Sequence, residues 1–202
     1  MKIGYLFLII ISANTYSQSK KEKSPHIGVA YKTLSQTKHK IGFNYGLGRN
    51  NGLGFTNINI ETDYVVHLFQ FQYYRSLIQK KWIGLEALGQ PQINFGQIDH
   101  KKNTFEFGLN IGILIRFNLL KDKISIYGLI SAGPHFISST PSRQAPNFIF
   151  SDNFFGGINY RVSKNLFLDL RPGKRHLSNL DFQFPNGGIN TFIINFGIMK
   201  LL

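Results

Sequence analysis

A histidine and a serine stand two residues apart near one end of the chain, in the stretch RHLSNLDFQFPNGGIN at 175–190. An imidazole beside a hydroxyl is the pairing that acyl transfer needs, because the ring takes the hydroxyl proton while the oxygen attacks a carbonyl. The Asn- and Gly-rich loop that follows His176 and Ser178 could turn amide N–H groups toward an oxyanion. His-x-Ser is common, however, and a polar pair at a membrane interface spells the same. What matters is the element that carries the two residues.

From 166 to 178 the even positions read Leu166, Leu168, Leu170, Pro172, Lys174, His176, Ser178, and the odd ones Phe167, Asp169, Arg171, Gly173, Arg175. This is a strand, with side chains alternating between two faces. Residues two apart share a face, with Cβ atoms ~7 Å apart at ~3.3 Å rise per residue, within reach of an imidazole–hydroxyl contact. The three leucines mark the even face as the apolar one, so His176 and Ser178 point the same way as the leucines. Asp169 and Arg171 point the other way, which suits a structural pairing of Asp169 with Arg171 or Arg175.

The same alternation runs through the chain. Between Thr104 and Leu119 the odd positions are Phe105, Phe107, Leu109, Ile111, Ile113, Ile115, Phe117 and Leu119, while the even ones include Glu106, Asn110 and Arg116. A strand of that length is unusual in a soluble sheet, where about 5–6 residues is typical. Ile41 to Leu47, Ile83 to Phe95 and Phe154 to Val162 repeat the pattern. Charges such as Glu86, Glu106, Arg116 and Asp169 would be costly in a dry core but find partners in a polar lumen. The pattern therefore predicts an all-β fold, an antiparallel transmembrane β-barrel with lipid outside and polar groups inside. A soluble sandwich with one wet face is the competing architecture. Ten strand-like stretches begin near 27, 40, 54, 64, 82, 104, 123, 153, 165 and 189. Eight strands are expected, the early short stretches merging or pairing at one rim.

Connections at 79–81, 121–123 and 163–165 are short, whereas 99–103, 137–152 and 179–188 are longer. They alternate as periplasmic turns and extracellular loops do, which puts the 179–188 loop at the cell surface. Residues 1–17, MKIGYLFLIIISANTYS, combine Lys2, an apolar run and small residues before Gln18, the pattern of a secretory signal peptide. The domain reading is thus a signal peptide at 1–17 and one barrel domain at 18–202. No cysteine is present, which excludes thiolate chemistry and disulfides. Lys and Arg number 23 against 10 Asp and Glu, a net charge of +13. Outside the inner membrane the abundant acidic partners are phosphorylated lipids and glycolipids, not nucleic acid.

The other histidines, His26, His39, His67, His100 and His135, have no companions at metal-ligand spacing, so neither a metal nor a cofactor is expected. They read as structural or solvent-exposed. GLGRNNGLG at 46–54 looks like a hairpin tip, not a phosphate cradle.

The C-terminal third resembles the outer-membrane lipid A 3-O-deacylases (PagL-type) and their acyloxyacyl-hydrolase-like relatives. The resemblance rests on His176, Ser178 and Asn179, then Asn186 and Gly188 after a short loop, with Asn190 at the place of the family's acidic residue. The upstream stretch SAGPHFISSTPSRQAPNFIFSDNFFGGINYRV is similar too, so about 130–198 is covered well and the first half only by its barrel pattern. The resemblance implies an eight-stranded outer-membrane barrel that hydrolyses an ester-linked acyl chain of lipid A. Ser178 would be the nucleophile and His176 the general base, with Asn186 as oxyanion donor and Asn179 and Gly188 beside it. Lipopolysaccharide and membrane lipids would be the partners, and the basic excess would hold the lipid A phosphates. The number of copies, a homodimer included, is left open.

Asn190 departs from the family pattern. An amide can orient His176 but cannot stabilise an imidazolium as a carboxylate does, and in the serine-protease triad an Asp-to-Asn change costs ~10⁴ in turnover. Asp181 in the following loop is a substitute acid to consider. The alternative function is a catalytically weak or inactive barrel of the same family that binds lipopolysaccharide or is structural.

Overall fold

The computed structural model describes residues 33–50, 62–121 and 123–202. A single 3₁₀ turn, Leu34–Gln36, precedes eight strands: β1 His39–Arg49, β2 Tyr64–Gln79, β3 Ile83–Ile98, β4 Lys102–Leu119, β5 Ile124–Ile137, β6 Asn147–Arg161, β7 Leu166–Ser178 and β8 Ile189–Leu201. Each pairs antiparallel with the next, and β8 pairs back onto β1 to close the barrel. Closure leaves no strand edge unpaired, the condition for backbone amides to lie in hydrocarbon. The stretches expected near 27 and 54 lie outside the described residues, as do the signal-peptide segment 1–17, His26 and the second half of 46–54.

Two connections differ from expectation. Residues 99–101 form a tight turn: Asp99 and His100 adopt φ of 51° and 56°, and Lys101 N–H donates to the Ile98 carbonyl at 3.0 Å. Short polar side chains tolerate this left-handed backbone best, so DHKKN closes a hairpin instead of extending a loop. The segment expected as a loop over 137–152 is shorter, because β5 runs to Ile137 and β6 starts at Asn147, which leaves 138–146 as the connection. Phe148, Phe150 and Asp152 hold their pairing with β5 well above the apolar run that marked this strand.

Alternation sorts the wall. Odd residues of β4 such as Ile111, 68% exposed, point outward, while Asn110 and Arg116 are buried inside. The large apolar exterior on every strand is a lipid-facing surface. Trp82 lies exposed in the turn before β3.

The lumen is filled by side chains, as an eight-stranded barrel requires. Glu86 accepts from Lys40 at 3.0 Å and from both arms of Arg116 at 2.9 and 3.1 Å. Asp169 accepts from Asn44 at 2.7 Å, Tyr127 at 2.5 Å and Asn159 at 2.6 Å, with Arg171 at 3.8 Å. Higher up, Glu106 bonds both His135 and Arg175. Asp169 thus pairs with Arg171, and Arg175 belongs to Glu106. Each buried charge has a counter-charge, and removing one member of such a pair costs about 3–5 kcal/mol. The interior is a packed polar plug that holds the wall rigid.

Candidate active site

Strand β7 presents His176 on its outward face, and β8 sets Asn190 directly opposite. Asn190 Oδ1 lies 2.8 Å from His176 Nδ1. An amide oxygen only accepts, so Nδ1 carries the proton and the Nε2 lone pair is left free. Two residues further along, at the end of β7, Ser178 shares the outward parity of His176 but is 8% exposed. Its hydroxyl makes no hydrogen bond to another described residue.

Gly188 adjoins the ring. It has φ of +67°, and a Cβ built there would meet His176 Cε1 at 2.6 Å and Nε2 at 3.3 Å. A residue at this position must therefore have no side chain, on grounds of both backbone and space. The Cε1–Nε2 edge of the imidazole is thus turned toward Gly188.

The connecting loop 179–188 is held by its own polar groups. Asn179 N–H donates to Asn186 Oδ1 at 2.9 Å, Asn179 Nδ2 donates to the Gln183 carbonyl at 2.6 Å, and Asn186 Nδ2 donates to Asp181 Oδ1 at 2.9 Å. Asp181 is thus turned to Asn186, not to His176. Asn186 spends one amide N–H on Asp181 and has a second to offer.

Residues 138–146 dock on this loop. Gln144 is buried, and its Oε1 accepts from Gly188 N–H at 2.9 Å. Gly187 N–H donates to the Arg143 carbonyl at 2.7 Å, Ala145 N–H donates to the Pro185 carbonyl at 2.7 Å, and Arg143 bonds the Gly187 carbonyl. Gln144 is a site residue that sequence reasoning missed, since nothing in a loop sequence announces which loop it will meet. Asp152 was missed as well, although the parity of β6 places it on the outward, apolar face with Phe154 and Ile158. It pairs directly with His176 from the side opposite Asn190.

A recess of about 650 Å³ opens beside the histidine. His176 and Asp152 form one edge, and Ala132, Ile111, Ile113, Ile130 and Phe154 complete it. Register explains the dip: Ile111, Ala132, Asp152, His176 and Asn190 form one row of cross-strand partners, with the small Ala132 between larger walls. A second apolar recess of about 690 Å³, around Phe71, Phe107 and Phe148, lies away from His176.

No three metal-ligating side chains cluster among the described residues. His39 and His67 bond tyrosine hydroxyls at 2.6 Å, His100 lies 3.1 Å from Asp63, and His135 is buried against Glu106.

The model of the lipid A 3-O-deacylase (PagL) family matches residues 64–199, about two-thirds of the chain. The chain belongs to that family. It is accordingly an outer-membrane β-barrel of the lipid A deacylase family. Among solved structures, the outer-membrane enzyme PagL superposes with a TM-score of 0.56 at 14% identity, over 78% of this chain and 97% of that one. The Yersinia pestis outer-membrane protein Ail gives a TM-score of 0.43 at 12% identity, over 81% of this chain and 99% of that one. No curated protein matches the sequence at a significant level. At 14% identity the likeness to the PagL structure speaks for the fold, and family membership rests on the matched sequence.

Proposed function

We propose that this protein is a serine esterase that removes an ester-linked acyl chain from lipid A in the outer leaflet, residues 1–17 serving as its export signal. The observation that carries the reading is the Asn190–His176 hydrogen bond beside Ser178. It fixes the tautomer in which Nε2 is free to take a proton, at the place where a hydroxyl stands on the same face of the wall.

Ser178 Oγ attacks the ester carbonyl carbon as its proton passes to His176 Nε2. The oxyanion takes hydrogen bonds from the second N–H of Asn186 and from a backbone amide of the 179–188 loop other than that of Asn179, which is held by Asn186 Oδ1. The carbon–oxygen bond to the sugar then breaks, the proton moves from His176 to the departing oxygen, and the acyl group stays on Ser178. Water repeats the sequence and releases the free acid. The apolar recess beside His176 takes the hydrocarbon chain, and the basic excess of the chain favours the lipid A phosphates.

Asn190 favours a second reading, a barrel that binds lipid A but turns it over slowly, since an amide carries no charge to balance an imidazolium. Mass spectrometry of lipid A from a Gram-negative host expressing the protein, beside Ser178→Ala, tests both. Loss of one acyl chain with the wild type and not with the variant establishes the esterase. Unchanged lipid A with the barrel folded in the outer membrane refutes it and leaves the binding reading.

A further inference from the structure

Asp152 occupies a place where a carboxylate has no structural reason to be. It lies on the outward face of β6, half-buried in a lipid-facing wall between Phe154 and Ala132, in an otherwise apolar recess. Among the described residues it makes no hydrogen bond and no ion pair. Every luminal carboxylate, by contrast, is matched to a cation. An unpaired carboxylate on a membrane face is expensive to keep and marks a functional position.

Its partner in the sheet is His176. Residues directly opposite on antiparallel strands have Cβ atoms ~4.5–5.5 Å apart, so carboxylate and imidazole are close neighbours. Strands β6 and β8 flank β7, which puts Asp152 on one side of the ring and Asn190 on the other. Asn190 holds Nδ1 but contributes no charge. Lys174 lies two positions from His176 on β7, paired with Phe154 and Phe192. Asp152 therefore faces the group that becomes positive during the reaction.

We propose that Asp152 supplies the negative charge for His176, so that orientation and charge stabilisation are divided between two strands: Asn190 on β8 fixes the ring, and Asp152 on β6 balances the imidazolium. Asp152 acts through His176 and is a positioning residue. The proposal rests on the esterase reading above. It also explains how an amide at position 190 is compatible with turnover.

The test is the kinetics of the full-length barrel in detergent micelles with a p-nitrophenyl acyl ester, for the wild type, Ser178→Ala, Asp152→Asn, Asn190→Asp and the double variant of the last two. Folding of each is verified by resistance of the barrel to SDS without heating. Asp152→Asn is expected to lower kcat by ~10–100-fold with KM nearly unchanged, a loss in the range of one electrostatic partner of a general base. Asn190→Asp, which puts a carboxylate at Nδ1 without changing shape, is expected to restore most of that loss in the double variant. A charge lost in one place and recovered in another is a result that a packing role would not produce. An unchanged kcat in folded Asp152→Asn, a loss confined to KM, or no rescue by Asn190→Asp each overturns the proposal while Ser178-dependent hydrolysis upholds the esterase. Absence of Ser178-dependent hydrolysis in the wild type overturns the esterase reading, and the role of Asp152 with it. Should Asp152→Asn fail to fold, the same comparison is made with Asp152→Ser.

Discussion

Replacing Gly188 by alanine tests whether the end of β7 is built around the imidazole. Gly188 has φ of +67°, and an alanine held there costs about 1–2 kcal/mol in backbone strain. The added methyl would lie 2.6 Å from His176 Cε1, where ordinary contact begins near 3.4 Å, so the ring must retreat by about 0.8 Å. The 2.8 Å bond from Nδ1 to Asn190 does not survive that movement intact. A misplacement of about 1 Å costs on the order of 10²-fold in rate when it separates a base from its nucleophile. Gly188→Ala should therefore leave a folded barrel, destabilised by no more than about 2 kcal/mol, with turnover reduced about 100-fold. Gly156→Ala is the control, since that glycine faces outward with no atom within 4 Å of the added Cβ. Initial rates on a detergent-solubilised acyl ester, beside thermal unfolding of both variants, make the measurement. If Gly188→Ala turns over within a few-fold of wild type while Gly156→Ala does the same, the imidazole does not sit where the reaction needs it.

Gln144→Ala removes the acceptor for the buried Gly188 N–H, and an unsatisfied buried amide costs about 1–3 kcal/mol. The loss should appear as faster proteolysis of the 179–188 loop and weaker hydrolysis, with the barrel itself still resistant to SDS. At the rim, Arg49 bonds Asp63 at 2.7 and 2.8 Å and holds its carboxyl below the usual carboxylate range. A carboxyl depressed in the folded state stabilises above its unfolded value and loses that contribution as pH falls through the folded one. Asp63→Asn should therefore lower the unfolding temperature slightly at neutral pH and leave it unchanged under strongly acidic conditions. A deficit that persists in acid would mean that Asp63 acts by packing and not by charge.

The barrel was legible in the sequence because its signal is local. Phe105 to Leu119 alternate with Glu106, Asn110 and Arg116, and that period alone sets which side chains face lipid and which face the lumen. The outward parity shared by His176, Ser178 and Asn190 follows from the same rule. Period two says which face a residue occupies but not which residue stands beside it on the next strand. Register decides that, and closure of β8 onto β1 together with the tight turns decides register. Only the folded barrel therefore sets Asn190 against His176 on one side and Asp152 on the other, although Asp152 lies 24 positions before His176 in the chain. The same holds for the lumen, where the sequence offered Arg171 and Arg175 to Asp169, and the height of each residue in the barrel gave Arg175 to Glu106 instead. Loop contacts are the least legible of all. Gln144 reaches Gly188 because two connections leave the same end of the barrel and fold together, a consequence of topology for which no local pattern of residues is required.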